Sequence, residues 1–356
     1  MSQDLRNYGG LEKWHIQIAN MLASRGHEVS VIGINLGGMK RVDGSYIRRI
    51  IKFPYTENPA LESLPDLESD ILYTSIGNKS VLDYIVRAKC ATIFGAHHSE
   101  YVLYHSSRGI AWGKDILSFN GFKTKVWIRR LLKLLPKFSA VHVTNPILSD
   151  WKRYNRNVFV IPNVPMNPES NAPKGNVFTV LFFGRHERIK GTETVSKLAK
   201  NLPSDTVLLI AGSGSESERL KAMSSDRVRF LGFLDEGSLA DTIASSHLVV
   251  FPSHSENNSL ILAEALRNGT PVVARRANFN SLLEGKPLCQ FASSDEEFIK
   301  RIEELRDLFY RDPESYREKS KALKSAIPSA SEYVEKFEGM INSVYQTFAR
   351  EEGISS

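Results

Sequence analysis

Residues 248–274 read LVVFPSHSENNSLILAEALRNGTPVVA. An apolar run (248–251), a polar turn (252–258), a helical stretch (about 259–268) and a second apolar run (271–274) make a strand–helix–strand unit. Glu256 and Glu264 stand with seven residues between them, the first in the turn and the second a turn or more into the helix. Helical side chains tilt toward the helix N-terminus, so both carboxylates can address one ligand above that end. The free backbone N–H groups near Asn258, Ser259 and Leu260, with the positive helix end, suit an anion such as a diphosphate. Carboxylates beside an anion site suit hydroxyls instead, and together these features predict a site for a phosphorylated sugar or nucleotide.

The composition admits a globular enzyme of ordinary kind. The 356 residues are 42% hydrophobic and 24% charged, enough for two domains and too apolar for a disordered chain. The two cysteines, Cys90 and Cys289, lie in separate apolar contexts and predict buried thiols in a reducing compartment. No run approaches the roughly 18–20 apolar residues that span a bilayer, and the first residues lack a signal-peptide pattern. The expected location is cytoplasmic. The net charge of +6 allows an anionic surface as partner, and nothing in the pattern points to nucleic acid.

Along the chain, Gly9 and Gly10 open a helix with Leu11, Trp14, Ile18, Met21 and Leu22 on one face, which Gly26 stops. Strand-like runs follow at 29–32, 46–53, 71–74, 92–94 and 141–144, alternating with helical stretches, which predicts a mostly parallel sheet with helices on both faces. His97 and His98 leave the run at 92–94, where ligands sit in such sheets. Residues 165–176, rich in Pro, Asn, Ser and Gly, are the expected linker. The second half begins with a strand at 177–183 and the turn Gly184-Arg185-His186-Glu187-Arg188-Ile189-Lys190-Gly191, whose cations Arg185 and Lys190 could face phosphate. Another strand at 207–211 runs into Gly212-Ser213-Gly214, which fails as a dinucleotide fingerprint because residue 217 is Ser. Residues 228–233 form a further strand with Gly232 near its end, and helices are expected at about 295–309 and 332–348.

Residues 122–138, FKTKVWIRRLLKLLPKF, carry six basic residues and no acid, interleaved with Val126, Trp127, Ile128, Leu131, Leu132, Leu134 and Leu135. Such a helix either packs on its domain and solvates its charges or meets an anionic membrane surface.

The frame around the two acids resembles the E-x7-E signature of the retaining GT-B glycosyltransferases of family four, the glycosyl transferases group 1. It comprises Phe-Pro-Ser before Glu256, and Ala265, Leu266, Gly269, Pro271, Val272 and Val273 after Glu264. The Gly184–Gly191 turn is similar to that family's G-R-x4-K-G element, and Ile161-Pro162-Asn163 to the segment closing its first domain. The usual Gly-Phe-Gly after the first acid is Asn257-Asn258-Ser259 here; Asn and Ser are good helix caps. The family's usual strand before the Gly9-Gly10 turn is missing from the pattern.

The resemblance implies an α/β fold of GT-B type, two Rossmann-like domains with mostly parallel sheets facing a cleft, the first strand of the N-terminal domain apparently absent. The expected boundaries are 1–168 for the acceptor side, 169–330 for the donor side, and 331–356 for a helix crossing back to the first domain. The implied reaction moves a sugar, with retention, from a nucleotide diphosphate sugar to a glycan, lipid-linked or other hydroxyl acceptor, without an obligatory metal or other cofactor. Arg185 and Lys190 would stabilise the leaving diphosphate, Glu256 would hold sugar hydroxyls and Glu264 the ribose. Gly9, Gly10, Gly184, Asn258, Ser259 and Leu260 would line the donor, Gly232 would lie by the nucleobase, and a histidine would meet the transferred sugar. Alignment of the strand and Ser99 favours His97 over His98. A peripheral position at the inner face of a membrane, through residues 122–138, is compatible with this. A sugar-nucleotide epimerase on the same fold and a non-catalytic sugar-nucleotide-binding subunit are the alternative readings.

Overall fold

The computed structural model describes residues 10–33, 49–52, 69–75, 79–98, 101, 119–165, 167–254, 256, 259–276 and 282–354. Gly9 and Asn258 lie outside the described residues, as do residues 1–8, on which the expectation of an absent first strand rests. The chain divides into two compact units, Met1–Asn163 with Ala330–Ser356, and Val164–Ser329.

In the first unit, helix α1 (Gly10–Ser24) buries Trp14, Ile18 and Leu22, the face its apolar spacing marks. It ends at Gly26, whose φ of 98° is the left-handed conformation of a helix stop. Strand β1 (Ser30–Gly33) pairs in parallel with β2 (Arg49–Lys52). Strand β3 (Ile71–Thr74), helix α2 (Lys79–Ile85), β4 (Ala91–Ala96), helix α3 (Phe119–Leu134), β5 (Ala140–Val143) and β6 (Val158–Val160) follow. The sheet order β3-β4-β5-β6 is parallel throughout. Every residue of β4 and β5 is buried, as expected of parallel strands covered on both faces. Cys90, just before β4, is buried, and that burial pushes its thiol up.

The second unit holds β7 (Phe178–Arg185), helix α4 (Thr192–Asn201), β8 (Thr206–Ser213), α5 (Ser217–Lys221), β9 (Val228–Gly232), α6 (Glu236–Ser245), β10 (Leu248–Phe251), α7 (Leu260–Arg267), β11 (Val272–Arg275) and β12 (Gln290–Ala292). Helices α8 (Asp295–Arg311) and α9 (Pro313–Ala322) complete it. Its core gathers Phe178, Val180, Phe182, Leu208, Ile210, Val250, Val273 and Phe298. The last helix, α10 (Ala330–Glu352), belongs to the first unit and buries Tyr333, Val334, Phe337 and Met340 there.

Strand order in the second sheet decides where a ligand can sit. The order is β12-β11-β10-β7-β8-β9, all parallel. From β7 the chain steps outward through β8 to β9, then returns to β10 on the other side of β7 and steps outward again. The switch point therefore lies between the C-terminal ends of β7 and β10, where such sheets open a crevice.

Candidate functional site

The turns that leave β7 and β10 carry the residues singled out from sequence. Gly184 and Arg185 end β7, and a 3-10 turn, Arg188–Lys190, presents Lys190. Lys190 Nζ donates to Glu256 Oε1 at 2.5 Å, and Ser253 Oγ donates to the same oxygen at 3.1 Å. The two charged side chains are mostly buried, 16% and 14% exposed, so their attraction is screened far less than a surface pair's. Arg185, by contrast, is 64% exposed and, among the described residues, bonds locally, to Glu187 at 2.8 Å.

The turns are pinned to each other through backbone. His254 N–H donates to the Ile189 carbonyl at 2.9 Å, and Arg275 Nε donates to the Pro252 carbonyl at 3.0 Å. Gly191 has φ 78°, and a Cβ there would stand 2.4 Å from the Pro252 oxygen, so only glycine lets the two turns meet. Gly212, at the end of β8, packs as closely on the first turn: with φ 121°, an added Cβ would lie 1.9 Å from the Gly184 oxygen. Gly212→Ala is therefore expected to destabilise the second unit by about 2 kcal/mol through strain and overpacking, seen as a lower denaturant midpoint.

Ser259 takes the N-cap position of α7, but its hydroxyl accepts no N–H from the helix, unlike the capping expected of it. Ser259 thus supplies no side-chain cap to the first N–H groups of α7, from Leu260 on. Glu264 sits on the second turn of α7, and its Oε1 accepts from Asn167 Nδ2 at 2.6 Å. Gly232 ends β9 with φ 69°.

Several residues that sequence reasoning passed over complete this region. Buried His186 donates from Nε2 to the Ala211 carbonyl at 3.2 Å and accepts at Nδ1 from Ser217 Oγ at 2.9 Å, while Ser217 Oγ accepts the Gly214 N–H at 2.8 Å. That locks the Gly-Ser-Gly turn onto the Arg185 turn, and burial holds His186 below the ordinary histidine range. Of the residues that hold the two acids, Ser253 belongs to the Phe-Pro-Ser frame before Glu256, while Asn167 had no sequence signal beyond its residue type.

In the first unit, His97 and His98 follow β4, both half-buried. His98 lies edge-on to Tyr101, ring centroids 5.8 Å apart. His97 is bound at both nitrogens, to Tyr73 Oη at 2.7 Å and Asn163 Nδ2 at 3.1 Å. Gly10 is the first residue of α1. Of the apolar residues of the basic stretch, Ile128, Leu131, Leu132 and Leu135 are buried and Val126, Trp127 and Leu134 half-buried, while Arg129, Arg130, Lys133 and Lys137 are exposed. Among the described residues no helix is long and apolar enough to cross a membrane, and no three His, Cys, Asp or Glu side chains group as metal ligands.

At the switch point of an all-parallel α/β unit, cations, acids and a helix start stand together, a chemistry that suits an anionic, hydroxyl-bearing ligand. Residues 164–322 match the family model described as glycosyl transferases group 1. An uncharacterized glycosyltransferase of Haemophilus influenzae is 28% identical over 341 residues, 88% of this chain and 90% of that one. Sucrose-phosphate synthase from Thermosynechococcus elongatus superposes with TM-score 0.71 at 17% identity, covering 95% of this chain and 94% of that one. Anabaena HepE, solved with UDP and glucose, gives TM-score 0.70 at 19% identity over 96% of this chain and 98% of that one. The fold is GT-B, and the match to the glycosyl transferases group 1 family lies in the second unit.

Proposed function

We propose that the chain transfers a sugar, with retention of anomeric configuration, from a nucleotide diphosphate sugar to a hydroxyl of a glycan or lipid-linked acceptor. The observation that carries this reading is the Lys190–Glu256 pair at the β7/β10 switch point. An ammonium and a carboxylate that hold each other can both change partners when the donor arrives: Lys190 turns to the diphosphate and Glu256 to the hydroxyls of the sugar. Breaking the sugar–phosphate bond builds oxocarbenium character on the sugar and negative charge on the diphosphate, and the cations stabilise that charge more in the transition state than in the ground state. In this scheme the chain's own cations neutralise the leaving group, and no obligatory metal is needed. Glu264 exchanges Asn167 for the ribose hydroxyls, and the N–H groups at Ser259 and Leu260 take a phosphate oxygen. HepE's complex with UDP and glucose supports a uridine nucleotide as the first donor to try.

The test is a panel of nucleotide sugars, each scored for protection against thermal unfolding and for turnover with glycan and lipid-linked acceptors, with the anomeric configuration of the product read by NMR. Protection and a retained product are expected with one donor. An inverted product removes the retaining mechanism, and release of an epimerised sugar from donor alone points to the epimerase reading. Binding without turnover across the acceptor panel favours a non-catalytic subunit.

The buried apolar face of α3 restricts any membrane contact to its exposed cations. Co-sedimentation with anionic vesicles is expected to need anionic lipid and to fall as salt rises from 0.05 to 0.5 M, roughly the range over which screening shortens from beyond 10 Å to near 4 Å. Equal, negligible binding to neutral and anionic vesicles excludes a membrane role for this face.

A further inference from the structure

Strand β11 ends on an arginine that reaches the turn leaving β10. The two strands run in parallel with Phe251 opposite Ala274, so Pro252 and Arg275, the next residues, lie side by side. The Arg275 side chain is mostly buried, 17% exposed. Its Nε donates to the Pro252 carbonyl at 3.0 Å, and its Nη2 donates to Thr194 Oγ1 at 2.9 Å. Thr194 gives its own hydrogen to Asp295 Oδ1 at 2.6 Å, so its oxygen is the acceptor for the arginine. Asp295 Oδ1 also stands 3.8 Å from Nη2, and Lys197 holds the other carboxylate oxygen at 2.5 Å. The guanidinium carbon lies over the Phe298 ring, 5.7 Å from its centroid.

Arg275 thereby ties the turn to three elements: α4 through Thr194, α8 through Asp295 and Phe298, and its own strand β11. The point it holds is the soft joint of that turn. Sheet pairing fixes Phe251, the pyrrolidine ring fixes φ of Pro252, and the peptide plane is rigid. The ψ of Pro252 then decides where Ser253 points, and the Pro252 carbonyl turns with that angle.

Backbone packing closes on the same carbonyl from the other turn, where an added Cβ at Gly191 would stand 2.4 Å from the Pro252 oxygen. Beyond that carbonyl, Ser253 Oγ donates to Glu256 Oε1, the oxygen that also takes Lys190. The next N–H, of His254, donates to the Ile189 carbonyl. A Pro252 carbonyl turned away would therefore carry Ser253, and Glu256 after it, off Lys190.

We infer that Arg275 is a positioning residue: its guanidinium, held by Thr194 and Asp295, sets the direction of the Pro252 carbonyl and through it the place of Ser253 and Glu256 beside Lys190. The place calls for a fork. One donor must meet the carbonyl while another keeps the bond to Thr194 and faces Asp295, and a planar guanidinium offers both in one rigid group. Lysine brings the same charge on a single nitrogen, so Arg275→Lys keeps the attraction to Asp295 and gives up the hold on the carbonyl.

The effect on turnover rests on the glycosyltransferase reading, while the effect on the turn stands apart from it. In the full chain without donor, Arg275→Ala and Arg275→Lys are expected to speed amide hydrogen exchange at His254 by about tenfold, the scale of one lost hydrogen bond from a charged donor. Exchange at Val249, whose N–H bonds the Pro271 carbonyl inside the sheet, should not move. Unchanged exchange at His254 in both variants overturns the inference whatever the protein catalyses. With the donor found for the wild type, kcat of both variants should fall roughly 10- to 10²-fold, as for a reacting group misplaced by about 1 Å. Arg275→Lys should do so while melting with the wild type, which separates position from stability. In a Glu256→Ala background, Arg275→Lys should cost kcat little more, because the group it positions is already gone. An equal loss of kcat in both backgrounds refutes the route through Glu256. Wild-type kcat in a variant whose His254 amide exchanges faster refutes the positioning role. A wild type that turns over no donor ends the glycosyltransferase reading, and exchange at His254 then decides the clamp.

Discussion

Arg185→Ala and Lys190→Ala are each expected to lower kcat by roughly 10²- to 10³-fold, the cost of one lost donor to charge that grows in the transition state. The variants differ in what they do to the fold. Arg185 is largely exposed and, among the described residues, pairs with its neighbour Glu187 alone, so its removal should leave stability untouched. Lys190 shields a mostly buried carboxylate, and Lys190→Ala leaves Glu256 without its ammonium, at a cost of about 1–3 kcal/mol. Kinetics of that variant belong well below its own melting temperature. Glu264→Gln should act through donor affinity, because ribose hydroxyls are held alike in ground and transition states, and Glu256→Gln should change both kcat and KM. Wild-type kcat in folded Arg185→Ala and Lys190→Ala would reduce the Gly184–Gly191 turn to a basic surface loop.

What the sequence showed of this site, and what it hid, follows from distance along the chain. Arg185, Lys190, Glu256 and Glu264 lie in two short turns and one helix, each next to an apolar strand, so local pattern could single them out, and of the four the structure joins Lys190 to Glu256. The strand order that brings the two turns together is a long-range fact: β7 and β10 are neighbours although β8 and β9 intervene, and alternation of strands and helices does not specify that. Asn167 meets Glu264 across 97 positions, and Tyr333 meets Trp14 across 319. In sequence, Tyr73 is one residue of a short strand and Tyr333 one position on an amphipathic helix, with nothing to separate either from ordinary core. Helices α6 and α9 escaped pattern reading for a different reason: α9 buries only Tyr316 and Ser320, too sparse a stripe to show a period. The basic stretch at 122–138 had an interleaved pattern consistent with either packing or a membrane; Ile128, Leu131, Leu132 and Leu135 are buried in the fold, which leaves its exposed cations as the part a membrane could meet.

Acid should weaken both units before neutral pH is far behind, and two fully buried histidines set the size of the loss. His142, in β5, donates from Nε2 to the Ile161 carbonyl and accepts at Nδ1 from Tyr73; burial lowers it to about 4. His247, just before β10, accepts the Thr179 N–H at Nδ1 and donates from Nε2 to the Gly175 carbonyl, each at 3.1 Å. Burial, then the charge of Lys174, lower it also to about 4. A proton added at either Nδ1 would destroy an accepted hydrogen bond and place a charge among aromatic rings, with Phe309 4.3 Å from His247 between centroids. Above about pH 6.5, the ordinary histidine value, folded and unfolded forms are both neutral and neither ring contributes a pH dependence. Between about 6.5 and 4 the unfolded chain binds a proton that the folded chain refuses, so stability falls with falling pH, by roughly 3 kcal/mol per histidine. Denaturant unfolding at pH 7, 5.5 and 4.5, followed by hydrogen exchange so that each unit is read separately, should show the loss in both. His142→Gln should flatten the slope in the first unit alone and His247→Gln in the second alone, each at the expense of stability at pH 7. A slope that survives both substitutions unchanged would mean that the protons enter elsewhere and that these rings are already charged, or already solvated, in the folded protein.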